Sequence, residues 1–205
     1  MTDAAFWDRI APRYARRAIS DMDAYEATIA RVKTYLSDTD RALELGCGTG
    51  STALLLAPFV GEYEGTDISG AMIDIALERA WNASAPNLSF RKTEADTVAQ
   101  DGQRPDKVLA FNILHLVPDT AATLAMVRDL LPEGGLFISK TPCIGEKWYY
   151  RPIVETLRLF GKAPSVHYLR IRQLDRMMTD AGFEIVETGL YPPSTPSRFI
   201  VARKR

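Results

Sequence analysis

Between Ala42 and Gly50 the chain reads Ala-Leu-Glu-Leu-Gly-Cys-Gly-Thr-Gly. A short apolar run carrying Glu44 breaks into glycines at alternate positions, Gly46, Gly48 and Gly50, and a helix-forming stretch begins at Ser51. Glycines admit positive φ and let bare backbone N–H groups approach a ligand closely, all the more where a helix starts. A dinucleotide-binding turn of the G-x-G-x-x-G kind would place its third glycine at position 51, where serine stands. The turn therefore points to a nucleoside cradle rather than a diphosphate cradle. Cys47 stands between two glycines of the turn, where a small residue fits and the backbone does the binding, so it is not read as a nucleophile.

Such a turn must be carried by a sheet. From Arg41 onward strand-like and helix-like stretches alternate. Strands are predicted over Ala42–Leu45, Tyr63–Thr66, Leu88–Lys92, Lys107–Phe111 and Leu136–Ser139, and helices over Ser51–Ala57, Gly70–Trp81 and Thr120–Leu131. Alternation of this kind implies right-handed crossovers and a mostly parallel sheet covered on both faces, with ligands beyond the C-terminal strand ends. A helix over Arg172–Ala181 then stops at Gly182. Phe183–Leu190 and Arg198–Ala202 follow with no helix between them, which predicts an antiparallel hairpin. The expected fold is α/β: a Rossmann-like, doubly wound sheet of seven strands ending in an antiparallel hairpin, with helices on both faces. Residues 1–40, with a helix near Tyr25–Leu36, and residues 143–170 lie outside this pattern and are candidate lids.

Length and composition bound the remaining choices. At 205 residues, 46% apolar and 25% charged, the chain has the make-up of an ordinary globular protein with one substantial core. Its two cysteines, Cys47 and Cys143, form neither a disulfide framework nor a metal cluster, so no metal is expected. The early charges and the missing apolar h-region lead to the expectation of no signal peptide, and no apolar run is long enough to span a bilayer, so the chain is expected to be cytoplasmic. Charge is unevenly spread. Residues 21–139 hold nine Lys/Arg against 18 Asp/Glu, while residues 140–176 hold eight against three. The basic segment is either solvated surface or a face for an anionic substrate, membrane or RNA.

Several motifs in order resemble the class I S-adenosylmethionine-dependent methyltransferases, over roughly residues 38–205. Glu44-Leu-Gly-Cys-Gly-Thr-Gly50 resembles the first motif, and Asp67 in Glu64-Gly-Thr-Asp-Ile-Ser69 stands where a carboxylate accepts hydrogen bonds from two ribose hydroxyls. Asp67 could instead cap the following helix, a role better suited to Ser69. Phe90-Arg-Lys-Thr-Glu-Ala-Asp96 resembles the adenine-binding stretch, with Glu94 in place of the usual aspartate, Thr93 in place of glycine and Asp96 as the alternative acid. Phe111-Asn-Ile-Leu-His-Leu-Val-Pro-Asp119 resembles the segment after the fourth strand, and Leu131-Pro-Glu-Gly-Gly-Leu136 the turn before the fifth. Near the N-terminus Phe6-Trp-Asp-Arg-Ile-Ala-Pro-Arg-Tyr14 is similar to a segment whose tyrosine folds over the cofactor, although Ala15 replaces the aspartate that usually follows.

The resemblance implies S-adenosyl-L-methionine as cofactor. The residues it implies as contacts are Tyr14, then Glu44, Gly46, Cys47, Gly48, Thr49 and Gly50 of the turn. Asp67, Ile68 and Met72 follow, with Glu94 and Ala95 near the adenine and Asn112 and Ile113 beside the methionine arm. His115 matches a position that commonly faces substrate, and an imidazole titrates near neutrality, so His115 is the candidate general base; packing within its short helix is the alternative. The chain lacks Asn-Pro-Pro-Tyr after the fourth strand, which argues against the nucleobase and glutamine N-methylating branches. The expected acceptor is a small molecule, aromatic or quinone-like with an acidic group, suggested by Trp148, Tyr149, Tyr150, Phe160 and the local positive charge. RNA, protein or lipid head-group methylation is the alternative enzymatic use, and cofactor binding without turnover the non-enzymatic one. A peripheral membrane contact is compatible with the basic segment, and the oligomeric state is not legible.

Overall fold

The structure, a computed structural model, describes residues 3–94 and 104–205. Strands β1 (Arg41–Leu45), β2 (Glu62–Asp67), β3 (Leu88–Lys92), β4 (Lys107–Phe111), β5 (Leu136–Pro142), β6 (Phe183–Leu190) and β7 (Ser197–Lys204) form one sheet in the order β3-β2-β1-β4-β5-β7-β6. The first five are parallel, while β7 pairs antiparallel with both β5 and β6. Helices α1 (Asp3–Ala15) and α2 (Met22–Lys33) precede the sheet. α3 (Ser51–Leu56), α4 (Gly70–Ala83) and α5 (Thr120–Leu130) lie in the crossovers, and α6 (Tyr150–Leu159) and α7 (Ile171–Asp180) precede the hairpin. This is the expected mixed seven-stranded sheet. No helix among the described residues is long and apolar enough to cross a membrane.

The strands sort their side chains by pleat. Leu43, Leu45, Val108, Ala110 and Phe137 face one core, closed by Leu124 and Val127 of α5 and Leu174 and Met178 of α7. Ala42, Leu109, Ile138, Phe199 and Val201 face the other, closed by Ile29 and Val32 of α2 and Leu56 of α3. Burial on both faces is why the central strands read as nearly unbroken apolar runs rather than alternating ones.

From β1 the chain winds outward to β2 and β3, then returns to lay β4 on the other side of β1. The loops leaving β1 and β4 therefore diverge from adjacent strand ends and leave a crevice between them. Two helices fall where the sequence suggested none. α1 runs through Pro12, which lacks an N–H and normally discourages a helix interior. α6 has no side-chain cap and no buried residue to mark it.

Candidate functional site

The turn after β1 needs its glycines. Gly46, Gly48 and Gly50 have φ of 66, 54 and 75°, the left-handed region that costs other residues free energy. Space forbids side chains at two of them as well. A Cβ on Gly46 would lie 2.7 Å from Ile113 Cδ1, and one on Gly50 would lie 2.7 Å from Phe90 Cζ. At Gly48 the nearest atom to such a Cβ is the Tyr14 ring, at 3.9 Å. The turn is thus packed tightly from below and open above the middle glycine.

At the end of β2 Asp67 turns its carboxylate toward this turn. Its Oδ2 accepts from Gly48 N–H at 2.9 Å and its Oδ1 from Ser69 N–H at 2.9 Å. Burial raises the Asp67 pKa, and these backbone donors pull the other way. Ser69, not Asp67, caps α4: its Oγ accepts from Met72 N–H at 3.1 Å and donates to Asp8 Oδ1 at 2.6 Å. Asp8 also accepts from Ala71 N–H at 3.1 Å, so a carboxylate from α1 completes the cap of α4. These donors hold the Asp8 pKa below the usual range, the Ser69 hydroxyl foremost.

That latch lays α1 across the crevice. Asp3, Trp7 and Tyr14 of α1 bound a cavity of about 210 Å³ above the strand ends. Trp7 stands edge-on to Tyr14, with ring centroids 6.3 Å apart. Gly46, Gly48, Asp67, Ile68 and Glu94 line the cavity on the β1–β2 side, and Asn112 and Ile113 on the β4 side. Asn112 has φ of 58°, an unusual conformation for a side chain-bearing residue, and its N–H donates to Lys140 O at 2.8 Å. Phe111, Ile113, Leu116 and Val117 give the cavity an apolar wall. Its charged lining residues are Asp3, Asp67, Glu94 and Asp119; no lysine or arginine lines it among the described residues.

Of the residues expected from sequence, Tyr14, Gly46, Gly48, Asp67, Ile68, Glu94, Asn112 and Ile113 come together around this cavity. Glu44, Cys47, Thr49, Gly50 and Met72 stand behind it, outside the lining. Ala95, with the alternative acid Asp96, lies outside the described residues. Glu44 is 2% exposed and accepts from Tyr63 Oη at 3.0 Å. Burial pushes its pKa up to about 7, and the negative charge of Asp67 adds to the effect. Burial likewise raises the Cys47 thiol far above its ordinary value, which accords with a packing role.

His115 is not among the lining residues. Its Nδ1 is buried without a hydrogen-bond partner, and its carbonyl accepts from His167 N–H at 2.7 Å. Burial, with His167 contributing, pushes its pKa down to about 4, so the ring is neutral at pH 7. Nor does any residue of 143–170 line the cavity. The positive charge from which an acidic group on the acceptor is expected therefore lies outside the cavity, whose own charged lining residues are acidic. A cavity of about 490 Å³ lies at the opposite, N-terminal strand ends, among Arg41, Glu62, Pro86 and Arg104. It has neither the glycine turn nor the strand-order reversal, so the smaller crevice is the candidate site.

Arg79 and Trp7 escaped the sequence reading. Arg79 Nη1 donates to Thr49 O at 3.1 Å, Thr49 Oγ1 at 2.8 Å and Ser51 Oγ at 2.9 Å, while Nη2 donates to Ala15 O at 2.8 Å. Nothing local marks that role. Trp7 carried a weak signal, lying seven residues before Tyr14 and so on the same helical face.

A family model described as a methyltransferase domain matches residues 13–188. Among curated proteins, the highly reducing polyketide synthase g433 of Fusarium sp. is 31% identical over 172 residues, 76% of this chain and 7% of that one. A ubiquinone biosynthesis O-methyltransferase of Cereibacter sphaeroides is 35% identical over 101 residues, 49% of this chain and 40% of that one. The chain thus spans less than a tenth of the polyketide synthase and two fifths of the O-methyltransferase. Phosphoethanolamine N-methyltransferase 2 of Haemonchus contortus, solved with S-adenosyl-L-methionine, superposes with a TM-score of 0.79 at 17% identity, covering 100% of this chain and 60% of that one. A possible histamine N-methyltransferase of Thermotoga maritima superposes with a TM-score of 0.74 at 21% identity, covering 99% and 100%. At such identities the likeness is one of fold.

Proposed function

The chain belongs to the class I S-adenosylmethionine-dependent methyltransferase family, and from that premise we propose that it transfers a methyl group to a small, apolar, quinone-like or other aromatic acceptor. The observation that carries this reading is the convergence of Asp67, the open face of Gly48 and an acid-lined crevice at the strand-order reversal.

The residues present fit the cofactor. Asp67, aimed by the Gly48 and Ser69 N–H groups, can accept from a ribose diol, and the lining residue Glu94 can accept from an adenine amino group. Negative lining complements a sulfonium and an ammonium, while the missing Cβ of Gly48 leaves room for a nucleoside against the turn. When bound, S-adenosyl-L-methionine supplies an electrophilic methyl group. The protein's part is to hold the acceptor's nucleophilic atom in line and keep water out. Alignment of this kind contributes on the order of 7–11 kcal/mol to lowering a barrier. Tyr14 and Trp7 cover the crevice as a lid, and the apolar wall from Phe111 to Val117 receives the acceptor. The similarity to proteins named ubiquinone biosynthesis O-methyltransferases supports oxygen as the methylated atom. No proton-transfer step is assigned to His115, which stands outside the lining.

Two measurements test the reading. Thermal shift with S-adenosylmethionine, S-adenosylhomocysteine and NAD should show stabilisation by the first two, since ligands of the native state raise its apparent stability. A response to NAD alone would overturn it. Incubation with labelled methyl donor and a panel of catechols, hydroquinones and a metabolite extract should label a small apolar product. Cofactor binding without any labelled product would make the chain a binding protein rather than a transferase.

A further inference from the structure

Helix α6 is amphipathic, and much of its apolar face lies open to solvent. Tyr150, Ile153, Val154 and Leu157 repeat at helical spacing and form an apolar stripe, which Phe160 extends. A surface helix normally turns such a stripe inward. Here the polar face is the one tied to the protein. Tyr168 Oη donates to Glu155 Oε1 at 2.9 Å, Arg158 donates to Glu155 Oε2 at 2.9 Å and to Ser165 Oγ at 3.2 Å, and the Arg151 guanidinium lies over the Tyr168 ring. Tyr150 and Val154 are half-buried, but the rest of the apolar face looks out: Ile153 is 53% and Phe160 72% exposed, and Trp148, just before the helix, is 84% exposed.

We propose that α6 and Trp148 form a docking surface for an anionic lipid bilayer. Three features select that occupant. Exposed cations accompany the stripe along the same segment, with Arg151 in the first turn of α6, Lys162 just past its end and Arg170 and Arg172 at the start of α7. The segment 140–176 holds eight Lys/Arg against three Asp/Glu in a chain that is otherwise acidic, so its charge complements an anionic surface. Trp148 and Tyr149 sit at the head of the stripe, the amphipathic aromatics that settle at the boundary between lipid and water. A second copy fits less well, because a two-fold contact through this stripe would bring two copies of the same basic segment face to face. The proposal is independent of the methyl-transfer reading, and binding is scored without turnover.

The test is sedimentation of the full chain with vesicles of phosphatidylcholine alone and of phosphatidylcholine with phosphatidylglycerol, at low and high salt. Binding to the anionic vesicles at low salt should exceed binding to neutral ones by about tenfold or more, and should fall as salt rises. Replacing the stripe (Ile153→Asn, Leu157→Asn, Phe160→Asn) should abolish sedimentation, with circular dichroism and S-adenosylhomocysteine binding unchanged. Lys162→Glu with Arg172→Glu, which leaves the apolar stripe in place, should weaken only the anionic component. Failure of the wild-type chain to sediment with anionic vesicles overturns the proposal. So does retention by the triple variant, equal binding to neutral vesicles, or a concentration-dependent dimer lost in the triple variant without vesicle binding.

Discussion

The Arg79 guanidinium on α4 holds Thr49 at two points, accepting groups being its carbonyl oxygen at 3.1 Å and its hydroxyl at 2.8 Å. The same side chain reaches Ala15 O, at the end of α1. One residue therefore joins the glycine turn to the helix that covers the cavity, without lining the cavity itself. Loss of such a planar, multi-donor contact frees both parts at once. Arg79→Met is expected to cost about 1–3 kcal/mol of stability and to weaken S-adenosylhomocysteine binding by roughly tenfold. Arg79→Lys should recover only part of each, since a single ammonium cannot span both partners. Calorimetric titration beside chemical unfolding checks this; an unchanged affinity would make Arg79 a structural residue only.

Asp67 makes the sharpest binding prediction. Its two backbone donors already fix the carboxylate, so a ligand diol meets an oriented acceptor. Hydrogen bonds to a charged group contribute about 1.5–3 kcal/mol, so Asp67→Ala should weaken S-adenosylhomocysteine on the order of 10- to 150-fold. Adenine alone, which lacks the ribose, should bind the variant and the wild type equally. A comparable loss for adenine would point to collapse of the turn.

Glu44 and His115 predict opposite pH dependences. The Glu44 pKa is raised by burial from 4.5 to about 7, so the folded state holds its proton more tightly than the unfolded state. Its contribution to stability is full at low pH and is lost as pH rises from about 4.5 to about 7. The His115 pKa is lowered by burial from 6.5 to about 4, so its contribution is lost as pH falls from about 6.5 to about 4. Relative to wild type, Glu44→Gln should gain stability as pH rises through the first window, and His115→Asn as pH falls through the second. Denaturant unfolding of the ligand-free chain across pH 4 to 8 measures both, and slopes of the same sign would refute the assignment.

His115 also separates two accounts of turnover. It stands outside the cavity lining, so His115→Asn should leave kcat and cofactor affinity within about twofold of wild type once an acceptor is in hand. A fall in kcat of a hundredfold or more, the range expected for loss of a general base, would restore it as the proton acceptor.

What was legible in the sequence follows from how far each signal reaches along the chain. β1, β4 and the glycine turn carry their reasons locally, in strands buried on both faces and in positions that demand positive φ. Leu88–Lys92 and Phe183–Leu190 were likewise bounded as they occur, being flanked by turn residues. α1 was hidden by Pro12 and by a run of arginines, and what seats it is a distant contact, Asp8 on the cap of α4. α6 was hidden because it has neither a side-chain cap nor a buried residue, and its polar side chains are the ones tied to the protein. Arg79 gave no signal, because its partners lie 28 to 64 positions away. Placing His115 required knowing which way the segment after β4 turns, and Asn112 with its φ of 58° makes that turn.

Gly46 offers a test of how the crevice is built. Its φ of 66° disfavours any side chain, and an added Cβ would meet Ile113 Cδ1 at 2.7 Å. Ile113 lines the cavity from the β4 side, so the two loops that make the crevice touch at this point. Gly46→Ala should lower stability by about 1–3 kcal/mol through strain and overpacking together. It should also displace Ile113 and weaken cofactor binding. Shortening the neighbour in the double variant Gly46→Ala, Ile113→Ala relieves the clash with the outer carbons but leaves the backbone strain, so stability should return only in part. Comparison with Ile113→Ala alone gives the coupling between the loops. If the two substitutions were additive, Gly46 and Ile113 would act independently, and the contact between the loops would not shape the site.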